Sequence, residues 1–345
     1  MSQKELKNIP ESDIAMSSRV RLARNLKDYP FPVKMDLKQG EQVLLMVKDA
    51  IFQGNASMAD NFNFYDIRNL NQIEKQMLVE KHLISRELAE TKKPGGAVID
   101  KEENISVMVN EEDHLRIQGL FSGMQLEKAW DICNKIDNLL EEKIDFAFSD
   151  RLGYLTCCPT NLGTGIRASV MLHLPALTMT GYLKGILEAC SKVGITVRGL
   201  YGENTEALGN MFQVSNQVTL GQSEEEIINN VKNIALQIIE QERILRKDLY
   251  KQNTLMFEDK VFRSLGILLS ARVISSEESH KLLSDVRLGI DMGIIKHIGI
   301  DAVNEIIVLT QPANLQATAG KALNPVERDV GRANLIRSKL GRMDS

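Results

Sequence analysis

Apolar residues recur at helical spacing in several stretches of the chain. Residues 36–52 place Val43, Val47 and Ile51 on one side, which is typical of an amphipathic helix. The same spacing predicts further helices over residues 72–85, 126–142 and 179–192. Each of these segments has one apolar stripe, so each is expected to pack against another layer of the fold.

Shorter β-prone runs lie between these helices. We predict strands at residues 97–99, 105–109, 115–120, 146–149, 154–158, 168–174, 195–200 and 211–219. Adjacent strands with occasional helices between them favour an α+β domain with a largely antiparallel sheet flanked by helices.

The last part of the chain has a different pattern. Ser223 and Glu226 have the spacing of a capping box, and they open a helix that runs to about Tyr250. Beyond that helix the pattern is helical throughout. We therefore predict an α+β domain over residues 1–254 and an all-helical domain over residues 255–345.

Composition and charge narrow the range of functions. The chain has 345 residues, four cysteines and a net charge of −4, and its isoelectric point is near 5.9. This charge argues against a general nucleic-acid binder. No apolar run reaches the length of about 18 residues that predicts a membrane span. The N-terminus lacks the apolar core of a secretory signal, and the cysteines lack metal-ligand spacing. We expect a protein of the reducing cytoplasm.

The run from Cys157 to Val170 is the most informative stretch. A strand-like entry leads into a turn rich in Pro, Asn and Gly, and Arg167 then enters a second β-prone run. Such a turn offers main-chain N–H groups and a fixed cation, which suit phosphate. The chain has no Gly-x-x-x-x-Gly-Lys-Ser/Thr, so it lacks a P-loop. Residues 163–168 fit the dinucleotide pattern Gly-x-Gly-x-x-Ala, but a strand and not a helix is predicted to follow.

Five arginines in motif-like settings are candidates for phosphate contacts. They are Arg19, Arg21, Arg116, Arg167 and Arg198. A planar guanidinium binds phosphate oxygens through paired hydrogen bonds, so arginines from separate segments could hold a nucleotide without a P-loop. From spacing alone, a surface or ion-paired arginine is the commoner explanation for each of them.

These motifs together resemble the phosphagen (guanidino) kinase family, the ATP:guanido phosphotransferases, and within it the bacterial protein-arginine kinases. The matching segments, in the family's order, are Ser17–Arg21, Asn110–Arg116, Cys158–Asn161 and Arg198–Glu203. The resemblance implies that Glu112 and Glu203 are catalytic carboxylates and that Cys158 is the reactive cysteine beside the guanidino substrate. The two carboxylates would align a guanidinium nitrogen with the γ-phosphate and remove a proton from it.

The resemblance also implies ATP as the phosphoryl donor. Mg²⁺ would be held mainly through the phosphates, with no side chain binding the metal directly. The residues implied for ATP binding are Ser17, Ser18, Arg19, Val20, Arg21, His82, Arg116, Arg167, Ala168, Ser169, Val170, Met171, Arg198, Gly199, Leu200, Tyr201, Gly202 and Glu203. Small-molecule phosphagen kinases usually carry a histidine where this chain has Met171, although a methionine can still cover a purine ring.

The acceptor is suggested by the two ends of the chain. In small-molecule phosphagen kinases a helical domain precedes the first arginine segment, which begins here at Ser17. We therefore expect an open acceptor site that admits arginine on a protein surface. A kinase of free arginine or of another small guanidino compound is the alternative.

The C-terminal region is similar to the C-terminal domain of the protein-arginine kinases, which supports dimerisation in that family. Arg328, Asp329, Val330, Gly331, Arg332 and Ala333 match its Arg-Asp-x-x-Arg-Ala motif, which implies an allosteric phosphoarginine pocket. The resemblance further implies a role in stress response and protein quality control. The implied partners are arginine-bearing protein substrates, a second copy of the chain, a heat-shock repressor, an activator protein and Clp protease components. Membrane and direct nucleic-acid contacts are not expected.

Overall fold

The computed structural model describes residues 9–53, 60–199 and 207–341. The chain forms two compact units. The first comprises Met1–Val170, Ser191–Thr196 and Val214–Ala235, and the second comprises Met171–Cys190, Val197–Gln213 and Leu236–Ser345. The two domains drawn from the sequence pattern, at 1–254 and 255–345, stay a prediction. Among the described residues, no helix is both long and apolar enough to cross a bilayer.

The strands build one large sheet and one short pair. Their bounds are β1 (Ala15–Arg24), β2 (Phe62–Asp66), β3 (Gly96–Asp100), β4 (Ile105–Val109), β5 (Leu115–Ser122), β6 (Phe148–Ser149), β7 (Gly153–Tyr154), β8 (Ile166–His173), β9 (Ile195–Gly199) and β10 (Met211–Asn216). β6 pairs with β7, and in the described ranges the other eight strands lie in the order β2-β3-β4-β5-β1-β8-β10-β9. The pairs from β2 through β5 to β1 are antiparallel. This sheet confirms the predicted α+β class.

Helices flank the sheet and make up the C-terminal region. Their bounds are α1 (Leu37–Phe52), α2 (Gln72–Glu80), α3 (Arg86–Glu90), α4 (Leu126–Glu141), α5 (Pro175–Thr180), α6 (Leu183–Lys192), α7 (Glu224–Gln252), α8 (Thr254–Ser270), α9 (Ser276–Asp291), α10 (Ile300–Leu309), α11 (Pro312–Ala319) and α12 (Pro325–Leu340). The capping box before α7 is present, because Ser223 and Glu226 exchange main-chain and side-chain hydrogen bonds of 2.8 and 3.2 Å. The helical pattern predicted beyond residue 255 is confirmed.

Strand β1 shows why one face of the sheet carries charge. Val20 and Leu22 are fully buried, whereas the alternate residues Arg19 and Arg21 are only partly buried. Successive side chains of a strand point to opposite faces. The apolar face therefore packs into the core and the arginines lie on the opposite face.

The helix predicted over residues 72–85 is shorter than expected. α2 ends at Glu80, and His82 adopts a left-handed conformation with φ of 60°. Ser85 then begins a new helix, because its side chain accepts a hydrogen bond from the N–H of Leu88. A Ser N-cap and a left-handed residue both interrupt a helix, so His82 lies in a tight connection and not on a helix.

The helix predicted over residues 179–192 is two helices. Gly181 ends α5 with φ of 74°, a conformation that favours glycine. α5 begins earlier than predicted, at Pro175, where the buried carboxylate of Glu242 accepts the N–H groups of Ala176 and Leu177 at 2.9 Å each. A carboxylate at a helix N-terminus satisfies free N–H groups and the helix dipole.

The strand predicted over residues 154–158 is also shorter, because β7 ends at Tyr154. Beyond it, the N–H of Cys157 donates to a side chain, the Oδ1 of Asp113, at 2.7 Å. A side-chain acceptor replaces the ladder partner that a strand would need here.

Candidate active site

Four arginines gather on one face of three neighbouring strands. Arg19 and Arg21 lie on β1, Arg116 on β5 and Arg167 on β8, and the sheet order places β1 between the other two strands. Arg21 lies opposite Gln118 in the β1–β5 register, two residues along β5 from Arg116. The sheet therefore brings together four of the five arginines that the sequence selected.

The cluster has a strong positive field. Burial and the charges of Arg19, Arg116 and Arg167 together lower the pKa of Arg21 well below its usual value, and Glu111 opposes this shift. Glu111 accepts a hydrogen bond of 2.5 Å from Arg116. The Nε of Arg21 is buried without a hydrogen-bond partner. Guanidinium groups held together in this way suit an anion with several oxygens, such as a polyphosphate.

His82 lies beside this cluster as a neutral imidazole. Burial, followed by the charges of Arg19 and Arg21, lowers the pKa of His82 to about 4. Its main-chain oxygen accepts a hydrogen bond of 2.7 Å from the buried side chain of Gln118. Gln118 therefore holds the connection that carries His82, a role that sequence reasoning missed.

A cleft of about 460 Å³ lies in the same unit. It is lined by Pro32, Val33, Met35, Asp36, Gly40, Thr91, Lys93, Pro94, Asn110, Glu111, Glu112 and Cys157. A second cavity of about 340 Å³ shares Asn110, Glu111 and Glu112 with the cleft and is also lined by Arg116. The acidic turn thus connects the arginine cluster to the cleft.

Glu112 lies at the exposed tip of the turn between β4 and β5. Partial burial, then the neighbouring charges of Asp113 and Glu111, raise the pKa of Glu112. The turn is anchored by Asn110, whose φ is 58° and whose Nδ2 donates to the carbonyls of Gly40 and Pro94 at 2.8 and 2.9 Å. Glu112 is therefore a carboxylate with raised proton affinity on a fixed support.

The two adjacent cysteines have different surroundings. The Sγ of Cys158 lies 3.0 Å from the Oγ1 of Thr160, at the start of a short 3-10 turn. Burial, followed by the charge and hydrogen bond of Asp113, raises the pKa of the Cys157 thiol to about 12. Cys157 is therefore a neutral thiol.

The glycine-rich turn is followed by strand β8 and not by a helix. Gly165 has φ of 67°, and a Cβ there would lie 2.6 Å from the carbonyl oxygen of Ala23. The glycine thus permits close contact with β1. A dinucleotide-binding motif needs a helix N-terminus directly after the glycines. Residues 163–168 therefore match the dinucleotide pattern in sequence but not in structure.

The remaining residues predicted to bind ATP have varied positions. Ser18, Val20, Ala168 and Val170 are buried, so their side chains lie on the core face and only their main chains could reach a nucleotide. Ser17 lies two residues before Arg19 on β1 and so shares its face. Ser169 is buried, and its Oγ donates to the main-chain oxygen of Arg19 at 3.4 Å. Met171 is half-buried on β8, and Arg198 is exposed on β9 before Gly199. Leu200, Tyr201, Gly202 and Glu203 lie outside the described residues.

The Arg-Asp-x-x-Arg-Ala motif lies on α12, and its two arginines differ. Arg332 is buried and donates to the carbonyls of Thr310 and Ile274 at 3.1 and 2.8 Å, and to Asp329 at 2.5 Å. Arg328 is partly exposed and donates to the carbonyl of Leu323 at 3.3 Å. The spacing places both on one helix, but Arg332 links the α12 backbone to α10 and to the start of α9.

Comparison with known proteins identifies the class of this site. The sequence model described as "ATP:guanido phosphotransferase, C-terminal catalytic domain" matches residues 42–245. The model described as "Protein-arginine kinase McsB C-terminal domain" matches residues 254–345. The chain belongs to the ATP:guanido phosphotransferase family and is a transferase of that family, as the motifs suggested.

Two relatives that match nearly the whole chain are protein-arginine kinases. The chain is 50% identical over 334 residues to the protein-arginine kinase of Caldanaerobacter subterraneus subsp. tengcongensis, covering 97% of this chain and 99% of the relative. It is 51% identical over 337 residues to the protein-arginine kinase of Desulforamulus reducens, covering 97% and 94%.

Solved structures share the fold. The crystal structure of lombricine kinase matches with a TM-score of 0.61 at 22% identity, covering 69% of this chain and 68% of that chain. The duplicated taurocyamine kinase from Schistosoma mansoni, with bound transition-state-analogue components, matches with a TM-score of 0.61 at 28% identity. That match covers 68% of this chain and 33% of the duplicated chain.

Proposed function

We propose that this protein transfers the γ-phosphoryl group of ATP to a guanidino nitrogen of arginine side chains in proteins. The observation that carries the proposal is the contact between Arg116 and Glu111. Arg116 belongs to the arginine cluster, and Glu111 lines the cleft beside Glu112. The ion pair therefore joins the arginine cluster, which suits a polyphosphate, to the acidic cleft, which suits a guanidinium. Phosphoryl transfer requires these two ligands to lie side by side.

The chemistry needs both sites. The bond between the γ-phosphorus and its bridging oxygen breaks, a phosphorus–nitrogen bond forms, and the guanidinium nitrogen gives up a proton. A guanidinium has no acceptor site and a pKa above about 12, so it is a poor nucleophile until a carboxylate aligns and deprotonates it. We assign this role to Glu112, with Glu203 as the second carboxylate. Arg19, Arg21 and Arg116 would neutralise charge on the transferring phosphoryl group.

Mg²⁺ is part of the proposal, with the phosphates and water as its main ligands. Within the ranges 9–53, 60–199 and 207–341, no group of three or more His, Cys, Asp or Glu side chains is arranged to hold a metal ion. Mg²⁺ prefers phosphate oxygens and retained waters to cages of protein ligands. The ion would supply charge neutralisation of the phosphates when bound.

A protein-bound arginine is favoured over free arginine by the lining of the cleft. Away from the acidic turn, Pro32, Val33 and Met35 give the cleft an apolar side. Lys93 also lines it, but its Nζ donates to the carbonyls of Pro32 and Val33 at 2.9 and 3.4 Å. An apolar rim suits the arginine stem and a neutral peptide backbone better than the charged carboxylate of a free amino acid. The names of the full-length relatives point to the same acceptor.

We also propose a phosphoarginine-responsive element on α12, a homodimer, and a role in stress response with the repressor, activator and protease partners named above. These rest on the similarity to protein-arginine kinases. Because Arg332 is bonded within the fold, Arg328 is the residue through which a response to phosphoarginine is tested most cleanly.

The test uses labelled ATP and Mg²⁺ with three acceptors: an unfolded arginine-rich protein, the same protein with lysine in place of arginine, and free arginine. We expect acid-labile label on the arginine-rich protein and little on the other two. Glu112→Ala should abolish transfer but retain nucleotide binding. Label on free arginine alone would refute the protein acceptor and support the small-molecule alternative.

A further inference from the structure

Asp113 is a buried carboxylate directly after Glu112. Its side chain is only 3% exposed. Its Oδ1 accepts two short hydrogen bonds, 2.6 Å from the Nδ2 of Asn25 and 2.7 Å from the N–H of Cys157. The second bond joins the turn that carries Glu112 to the segment that carries Cys158. Glu112 is the sequence neighbour of Asp113, and Cys158 is the sequence neighbour of Cys157.

Asn25 completes the junction. It is 1% exposed, its Nδ2 also donates to the carbonyl of Leu155 at 3.0 Å, and its Oδ1 accepts the N–H of His114 at 2.9 Å. Asn25 therefore contacts both sides of the bond between Asp113 and Cys157. A fully satisfied buried polar network of this kind holds its members in one arrangement.

We infer that Asp113 is a positioning residue that fixes the Cys158 segment against the Glu112 turn. It therefore sets the relative placement of the carboxylate and the thiol at the acceptor. This inference rests on the proposed function, which gives Glu112 and Cys158 their roles. Asp113 itself acts through the main chain of Cys157.

The expected effect is on turnover more than on nucleotide binding. A misplacement of about 1 Å between reacting groups can lower a rate by about 100-fold. Asp113→Ala leaves the Cys157 N–H and the Asn25 amide without their shared acceptor. We expect kcat to fall roughly 10- to 100-fold and the KM for ATP to stay within about twofold, because the two hydrogen bonds that the Oδ1 of Asp113 accepts come from Asn25 and Cys157.

Asp113→Asn is the matched control. It keeps an oxygen that can accept both N–H groups and removes the charge. If Asp113 acts by positioning, Asp113→Asn retains most of the kcat that Asp113→Ala loses. Equal losses in the two variants would show that the charge matters and would overturn the inference.

A second measurement reports the junction without using catalysis. In a Cys158→Ser background, alkylation at Cys157 is followed by mass spectrometry at pH 8, with Cys133 as an internal reference. Cys133 is fully buried, and burial raises the pKa of its thiol to about 12. Asp113→Ala should raise the Cys157 alkylation rate roughly tenfold or more while Cys133 stays protected.

The outcomes distinguish failure of the positioning role of Asp113 from failure of the proposed function. Increased Cys157 alkylation with unchanged kcat overturns the positioning role, and so does unchanged alkylation together with unchanged kcat. If Glu112→Gln, assayed in parallel, transfers phosphate normally, the proposed function fails. Comparison of Cys157 alkylation in Asp113→Ala and Asp113→Asn, which both lack the charge, still reports whether the hydrogen bonds of this side chain hold the Cys157 segment. Labelling of Cys133 would reveal global unfolding, and Asp113→Ser, which keeps one short acceptor, would then replace Asp113→Ala in both assays.

Discussion

Replacing Arg332 with leucine should destabilise the helical C-terminal region strongly, whereas the same change at Arg328 should not. Both residues lie on α12 and both belong to the motif assigned to phosphoarginine. Arg332 is 2% exposed and its guanidinium satisfies the carbonyls of Thr310 and Ile274. Leucine keeps the apolar volume of the stem but donates no hydrogen bond.

The magnitude follows from the two carbonyls. A buried carbonyl that loses its partner costs ~1–3 kcal/mol, so the loss of two costs ~2–6 kcal/mol. We expect the free energy of unfolding to fall by ~4 kcal/mol in Arg332→Leu. Arg328 is partly exposed and makes one bond of 3.3 Å, so Arg328→Leu should cost no more than ~1 kcal/mol.

Urea unfolding with two probes measures this difference. Far-UV circular dichroism reports all helices, whereas the fluorescence of Trp130, the single tryptophan of the chain, reports α4 in the first unit. We expect the dichroism midpoint of Arg332→Leu to move to clearly lower urea at a similar m-value. Arg328→Leu should unfold as the unmodified protein does.

A change below about 1 kcal/mol in Arg332→Leu would refute this account of the buried guanidinium. It would mean that the two carbonyls find other partners at little cost. The expected result has a practical consequence, because a variant that changes both arginines confounds loss of ligand binding with loss of stability. Arg328→Leu alone avoids this.

Three further predictions concern the first unit. Glu112→Gln should lower kcat about 10²–10⁴-fold with little change in ATP affinity, measured by steady-state kinetics and calorimetry. Because the pKa of Glu112 is raised, the turnover rate of the wild type should fall on acidification at a higher pH than it would with an ordinary glutamate. Val33→Ser should raise the KM for a protein acceptor roughly 5- to 10-fold, since Val33 is 76% exposed and its cover by a bound acceptor would contribute on the order of 1 kcal/mol. The KM for ATP should stay unchanged. His82→Asn should flatten the pH dependence of stability. In the wild type, the histidine of the unfolded chain is protonated below about pH 6.5, whereas that of the folded protein stays neutral until about pH 4. The free energy of unfolding of the wild type therefore falls on acidification by up to ~1.4 kcal/mol per pH unit.

Each of these has an outcome that contradicts it. Normal turnover of Glu112→Gln would show that Glu112 is not a catalytic residue. Val193 is 65% exposed and does not line the cleft, so Val193→Ser is the matched control for Val33→Ser, and equal KM values in the two variants would show that the apolar rim does not contact substrate. Parallel stability curves from pH 7 to 5 for His82→Asn and wild type would contradict a neutral His82 in the folded protein.

The five arginines were selected from motifs in the sequence, but the strand β1, which carries Arg19 and Arg21, was not predicted. Polar and apolar residues alternate only from Arg19 to Leu22, and this short pattern is consistent with both arginines on one face of a strand. The neighbouring strand order was not predictable, because the β1–β5 pairing joins Arg21 to Gln118, far apart in sequence. The family resemblance supplied that long-range information indirectly.

The role of Asp113 was not predictable in the same way. Within the acidic run it looks like a solvated charge, and its partner Asn25 lies 88 residues earlier. Likewise, the spacing of Arg328 and Arg332 predicts a shared helix face but not that Arg332 is buried against main-chain carbonyls. Whether a polar side chain is buried, and which groups it hydrogen-bonds, depends on how the core is assembled. A single sequence does not specify this.

The arginine cluster has a consequence for the energetics of the empty enzyme. Like charges held side by side repel one another, and after burial this repulsion is the second cause of the lowered pKa of Arg21. A chain selected for stability alone would not keep four such groups on adjacent strands. Part of the proposed affinity for a nucleotide would therefore come from relief of this repulsion when a polyanion binds. ATP would then stabilise the folded protein as well as serve as its proposed substrate.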